Sequence, residues 1–458
     1  MIKFPSQSSL LKKYDVPVPR YTSYPTMPYW DTEKFTTDKW AESVKKVFNE
    51  TNESKGISLY IHLPFCETLC TYCACNTRIT KNHDVEIKYI ASLLKEWELY
   101  KKLFGSRPVI RELHLGGGTP TFFSPQNLRK FMRYLLEDCY IYGNHTFSFE
   151  GHPNNTTPEH LQTLFGLGFR RVSFGVQDLD EKVQRTINRI QPLENLQKVT
   201  TVSRAIGYES ISFDLIYGLP FQTPSTIINT FEKVLALRPD RVSFYSYAHV
   251  PWLKPGQRGY EDADLPSDVM KRLLYETGRS MLKSEGYEDV GMDHFALSHD
   301  SILKAQSQGK LQRNFMGYTT TETELLIGLG ASAISDAKYA YAQNAKKVED
   351  YALSISNGIL AIAKGHIQTG EDLQLKKHIL EVACQGQITS EDLIQLKENS
   401  IIKALETFCD EGILERTETR LQVTETGRAF IRNICSAFDL RQQNQSKHVR
   451  DQLFSKGI

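Results

Sequence analysis

Between residues 57 and 292, apolar β-branched segments recur at intervals of roughly thirty residues, with helical periodicity between them. They are Ile57–Leu63, Val109–Leu115, Thr146–Glu150, Arg171–Gly175, Ile211–Leu215, Arg241–Tyr247 and Tyr287–Met292. Alternating strands and helices bury a parallel sheet under a helical layer. Six or seven such units predict a complete or incomplete barrel rather than a small open sheet, so the expected class is α/β with a partial (βα)6-type, TIM-like barrel. Three intervening helices carry their own start signals, Ser124-Pro125, Thr157-Pro158 and Thr223-Pro224. In each, the hydroxyl can cap a free amide and proline occupies the first helical position, where its missing N–H costs nothing.

The flanks lack this repeat, and 458 residues exceed one simple domain. Residues 1–55 carry Pro17, Pro19, Pro25 and Pro28 and lead into an amphipathic helix near Lys39–Phe48, which predicts an irregular arm able to act as a lid. Residues 56–364 form the expected barrel. Residues 365–458 turn helical and then strand-like around Gly412–Val423, which suggests a small winged-helix-like domain. Lys and Arg total 55 against 54 Asp and Glu, so no global field draws the chain to nucleic acid or membrane. The most apolar run, Leu325–Ile334, is about half the length that spans a bilayer. The first residues show no apolar core of a secretory signal, and the expected location is the cytoplasm.

Of eight cysteines, Cys66, Cys70, Cys73 and Cys75 fall together, while Cys139, Cys384, Cys409 and Cys435 are scattered. A tight cluster without a secretory signal points to metal rather than a disulfide framework. Three thiolates spaced Cys66-x-x-x-Cys70-x-x-Cys73 can wrap one iron–sulfur cube in a single loop and leave one iron free for a small molecule. Structural zinc completed by Cys75 is the alternative, although zinc sites usually draw on two separated pairs.

The run Tyr60-Ile-His-Leu-Pro-Phe-Cys-Glu-Thr-Leu-Cys-Thr-Tyr-Cys-Ala-Cys-Asn resembles the signature of the radical S-adenosylmethionine (SAM) enzymes. The extra Cys75 and the arm Arg20-Tyr-Thr-Ser-Tyr-Pro-Thr narrow the resemblance to the oxygen-independent coproporphyrinogen III oxidases. It continues through Gly116-Gly-Gly-Thr-Pro, Gly175-Val-Gln-Asp, Asp214-Leu-Ile-Tyr-Gly-Leu-Pro, Tyr247-Ala-His, Gly291-Met-Asp-His-Phe-Ala and Arg313-Asn-Phe-Met-Gly-Tyr-Thr-Thr. The resemblance implies a 4Fe–4S cluster on Cys66, Cys70 and Cys73. A first SAM would lie at Tyr60, Gly117, Glu150 and Ile334. A second would lie at Tyr72, Gly118, Thr119, Gln177, Arg189, Asp214 and Ala248. Tyr60, His62 and Glu150 would be the catalytic set, His62 either moving protons beside the cluster or simply packing.

The implied reaction converts two propionates of coproporphyrinogen III to vinyl groups, giving protoporphyrinogen IX for haem synthesis. It needs an electron donor for the cluster and no nucleic-acid or membrane partner, and a monomer is expected. Arg20 and the run Lys254-Pro-Gly-Gln-Arg258 are candidates for forking substrate propionates, although a solvated loop is the safer reading of either. Two positions depart from the family pattern: Gly151-His152 after Glu150, and Met316 where a glutamine is usual. Both touch the expected cofactor or substrate region. Two other functions fit parts of the sequence. A haem-chaperone branch keeps the three cysteines but lacks Cys75 and the arm. A DNA-binding iron–sulfur regulator would use Ile401–Glu411, where Lys403 faces Glu406, Asp410 and Glu411, the wrong sign for phosphate.

Overall fold

A computed structural model describes residues 7–396, 398–445 and 453–454. Two compact units result, one of residues 31–287 and 321–367, the other of 1–30, 288–320 and 368–458. The predicted parallel sheet is in the first. Its strands are β1 (Ile57–Leu63), β2 (Val109–Gly117), β3 (Tyr140–Gly151), β4 (Arg171–Gln177), β5 (Ser210–Tyr217) and β6 (Arg241–Ser246). They lie side by side in chain order and all parallel. On the other side of β1, β7 (Leu326–Leu329) pairs parallel, and β8 (Ile334–Asp336), β9 (Ala340–Asn344) and β10 (Ile362–Ile367) continue antiparallel. This is the partial (βα)6 barrel.

The strands alternate side chains of two kinds. Leu59, Ile61 and Leu63 are fully buried, and between them stand Ser58, Tyr60 and His62. Since neighbours on a strand point to opposite faces, the second set lines one surface. Parallel register extends it sideways: Ser58 lies opposite Glu112, Tyr60 opposite His114 and His114 opposite Ser148. The Ser58 hydroxyl donates to Glu112 at 2.7 Å, so the buried carboxylate has a partner.

All three expected helix starts are present. The helices α1 (Pro125–Leu136), α2 (Pro158–Gly166) and α3 (Pro224–Ala236) each begin at the proline, capped by Ser124, Thr157 and Thr223. Thr157 and Thr223 form reciprocal boxes with His160 and Thr226.

The chain divides differently from three consecutive segments. Residues 31–55 join the barrel unit, whereas residues 1–30 join the C-terminal part. The cause is aromatic burial. Tyr21 and Tyr24 enter the core formed by Leu375, Ile379, Leu405, Phe430 and Phe438. Tyr14 packs on Phe408 and Phe430, both at 5.4 Å. The Arg432 guanidinium then holds the carbonyls of Val18 and Pro19. Residues 288–320, including most of the strand expected at Tyr287–Met292, also belong to this unit. Here α4 (Gly370–Gln385), α5 (Ser390–Gln395) and α6 (Asn399–Asp410) accompany a three-stranded antiparallel sheet of Gln387–Thr389, Leu414–Arg416 and Arg420–Val423, a winged-helix-like pattern.

Candidate active site

The cysteine loop leaves β1 at Leu63. Cys66 closes a two-residue strand that pairs with Arg78–Ile79, fixing both ends of the loop between them. Inside it a tight turn brings the Cys73 amide to the Cys70 carbonyl at 3.1 Å. Segments that follow β4 and β6 hold the loop down. The Thr71 amide donates to the Ile187 carbonyl at 3.0 Å, Asn188 to the Leu69 carbonyl at 2.7 Å, and the Lys254 ammonium to the Ala74 carbonyl at 2.8 Å.

The donor set suits a cluster. All described cysteines are free thiols. Burial pushes Cys66 up to about 11, while its sulfur lies 3.3 Å from the Thr119 hydroxyl. A hydrogen bond from Cys75 pulls Cys73 down to about 6, with Lys254 and Arg189 helping. The Arg189 guanidinium sits 3.6 Å from the Cys70 sulfur, and its Nε has no hydrogen-bond partner. A half-buried cation in contact with Cys70, its charge also felt by Cys66 and Cys73, is what a set of thiolates requires.

Next to the loop, the turn after β2 brings backbone against backbone. A Cβ on Gly118 would sit 2.6 Å from the Pro64 carbonyl carbon, and one on Gly117, at φ +109°, would sit 2.5 Å from the His62 ring. Only glycine fits either place. His62 accepts at Nδ1 from the Tyr60 hydroxyl (3.0 Å) and donates from Nε2 to the Asn76 carbonyl (2.9 Å). A carbonyl can only accept, which fixes the tautomer. Burial holds this imidazole below its usual range, and thus neutral near pH 7.

Glu150, at the end of β3, accepts from the Gly117 amide at 3.3 Å and lies 3.4 Å from His114 Nε2. Burial opposes its charge, but the hydrogen bond and charge of His114, with the Gly117 amide, outweigh it and hold the carboxyl below the usual range. His114 is completed by Ser148 at 2.8 Å and stacks on Tyr60 at 6.0 Å and 14°. Ile334 opens β8, its carbonyl against Gly328, which lies opposite Tyr60. Tyr60, His62, Gly117, Glu150 and Ile334 therefore gather at neighbouring strand ends.

Farther along the sheet, a bulge between Gly175 and Gln177 ends β4 with Gln177 at φ +66°. Its amide and the Arg189 guanidinium flank Gly175, whose carbonyl accepts from Arg189 at 2.5 Å. Asp214 accepts from Ser173 at 2.9 Å, and burial raises it to about 6. Tyr72 packs against the core cluster that contains Val183, Ile187, Tyr247 and Tyr260. The Ala248 carbonyl accepts from Gln257 at 3.1 Å. Burial and the Arg189 charge press His152 down to about 3, keeping it uncharged. Arg258 is not drawn into this group, since its Nε donates to the Pro251 carbonyl of its own loop. Arg20 and Met316 belong to the other unit, where Arg20 pairs with Asp293 at 3.1 Å.

The sequence reading missed His114, Asn76 and the serine pair Ser148 and Ser173. The one available signal was alternation: Glu112 and His114 stand two apart, in step with Gly116, with the apolar Leu113 and Leu115 between them.

A three-thiol loop above the strand ends of a partial barrel defines a radical SAM enzyme, built on a 4Fe–4S cluster and SAM; residues 60–234 match the model of the Radical SAM superfamily. Among named proteins, the chain is 37% identical over 441 residues to the oxygen-independent coproporphyrinogen III oxidase of Pseudomonas aeruginosa, covering 94% of this chain and 95% of that one. The enzyme of the same name from Escherichia coli is 36% identical, with 98% of each covered. A solved structure described as coproporphyrinogen III oxidase from Escherichia coli, a radical SAM enzyme, superposes with a TM-score of 0.88 at 34% identity, covering 94% of this chain and 98% of that one. The chain belongs to the oxygen-independent coproporphyrinogen III oxidase family.

Proposed function

We propose that this chain converts two propionates of coproporphyrinogen III to vinyl groups without oxygen, yielding protoporphyrinogen IX. The observation that carries the reading is near full-length likeness to enzymes bearing that name, with every motif of the three-thiol loop in place. Cys66, Cys70 and Cys73 hold the cluster. Tyr60, Gly117, Glu150 and Ile334 hold one SAM, and Tyr72, Gly118, Thr119, Gln177, Arg189, Asp214 and Ala248 hold a second. When bound, the reduced cluster and SAM would supply radical chemistry able to remove hydrogen from a propionate carbon.

The protein's part is positioning and exclusion of water. The Glu150 carboxylate, kept ionised by His114, offers an oxygen to the ammonium of the methionyl group. The glycine turn lets the backbone come close to it. His62 has both ring nitrogens engaged, which suits holding Tyr60 and the loop at Asn76 better than moving protons. Arg189 offsets thiolate charge. Asp214, near its midpoint at about 6, accepts from a ribose hydroxyl in either protonation state. The supply of electrons by a separate donor, a cytoplasmic location and a monomeric state complete the reading. No helix among the described residues is long and apolar enough to cross a membrane.

The test is anaerobic reconstitution with iron and sulfide, followed by reductant, SAM and coproporphyrinogen III. Products lighter by two losses of formic-acid mass (carbon dioxide plus two hydrogens each) support the proposal. SAM cleavage with the porphyrinogen unchanged removes it.

A further inference from the structure

Away from the barrel, the winged-helix-like unit contains a group of side chains that the reaction does not use. His378 and Glu381 lie three apart on one face of α4, and Asp392 lies on α5. One ring nitrogen and two carboxylate oxygens lie within 4.8 Å of one another. His378 is 1% exposed, yet neither Nδ1 nor Nε2 has a hydrogen-bond partner, and Glu381 Oε2 has none either. Buried polar groups left unpaired in this way carry their full desolvation penalty. Asp392 is buried and Glu381 half-buried, so two carboxyl groups face each other, with the Thr389 hydroxyl donating to Asp392 Oδ2 at 2.9 Å. The charges around them are Lys377, 2.7 Å from Asp392 and 65% exposed, and Glu391.

We propose that His378, Glu381 and Asp392 form a site for a divalent transition-metal ion of the zinc type, with solvent completing the shell, and that the ion clamps α4 to α5. One imidazole and two carboxylates match the borderline character of zinc. Ligand atoms around an ion with bonds of about 2.1 Å stand about 3.4 Å apart in a tetrahedron, so side-chain rotations of about an ångström close the set. The ion would occupy a lone pair of His378, satisfy Glu381 Oε2 and take the place of the proton in the Glu381–Asp392 hydrogen bond. Lys377, mostly in solvent, can swing away.

The test uses full-length protein with its iron–sulfur cluster loaded, so that the loop thiols are occupied, titrated anoxically with Zn2+ against a chromophoric chelator. One equivalent is expected, with His378→Gln and Glu381→Gln each weakening it at least tenfold, and a zinc-dependent rise in the melting temperature of the wild type alone. A metal-free melting temperature unchanged in both variants shows that they are folded, and unchanged cluster absorbance shows that the loop thiols are not the source. Uptake unaffected by either substitution, or no uptake at all, overturns the proposal. Neither result bears on the porphyrinogen reaction, which is read separately by product mass.

Discussion

Replacing His114 with phenylalanine separates two roles of one ring. Phenylalanine keeps the stack on Tyr60 but deletes the bonds to Ser148 and Glu150. Glu150 then keeps the hydrogen bond from the Gly117 amide. A hydrogen bond to a charged group contributes about 1.5–3 kcal/mol. The Glu150 side chain is 43% exposed, and solvent screening argues for the low end, about 1.5 kcal/mol or roughly tenfold in SAM affinity. The pH dependence has a definite sign. His114 depresses the Glu150 pKa, so binding that needs the carboxylate is present above that pKa and fails as pH falls through it. In His114→Phe the pKa rises, and the acid limb of SAM binding moves to higher pH. Equilibrium titration of SAM into cluster-loaded protein, carried from pH 8 to below 4.5, measures both. An unchanged dissociation constant with an unmoved acid limb, the cluster being intact, refutes the role assigned to His114.

Replacing Cys66, Cys70 or Cys73 with alanine should abolish cluster absorbance and turnover, scored on anoxically reconstituted protein. Gly118→Ala would place a methyl 2.6 Å from the Pro64 backbone, an overpacking of about 1–3 kcal/mol that should lower both melting temperature and cluster content. Thr157→Ala removes a capping box and should cost about 1 kcal/mol by denaturant titration, with SAM cleavage retained. Glu96 accepts from Gly330, Asn344 and Tyr351, and burial raises it from 4.5 to about 7. Its proton is therefore favoured in the folded chain, so stability should fall as pH rises from about 4.5 toward 7, and Glu96→Gln should flatten that slope in pH-dependent chemical denaturation.

The elements that were legible in the sequence are those whose cause is local. A serine or threonine before proline makes a helix start within four residues, and all three starts stand where expected. Strand periodicity is equally local, and so is a cysteine loop of eight residues. What escaped depends on register between distant segments. His114 matters because β2 lies beside β1 and β3, which brings it to Tyr60, Ser148 and Glu150 at once. Asn76 matters because its carbonyl happens to meet His62. The arm's place was hidden for the same reason: Tyr14, Tyr21 and Tyr24 look like loop aromatics until Phe408, Phe430 and Phe438 are folded against them. The strand Leu326–Leu329 was noticed only as an apolar run, because four buried residues carry no alternation to read.

That dependence on register also limits how the site can be dissected. Tyr60 bonds His62 and stacks on His114, His114 bonds Glu150, and Glu150 holds the Gly117 amide, whose missing Cβ makes room for His62. The contacts form a closed ring spread over three strands. Removing any member leaves its neighbours partly unpaired, so single substitutions will overstate individual contributions, and their effects will not add. Glu150→Gln combined with His114→Phe should therefore lose less SAM affinity than the sum of the two single losses, because the first already removes the charge that the second supports. Strict additivity would mean that His114 acts on the cofactor by some route other than Glu150.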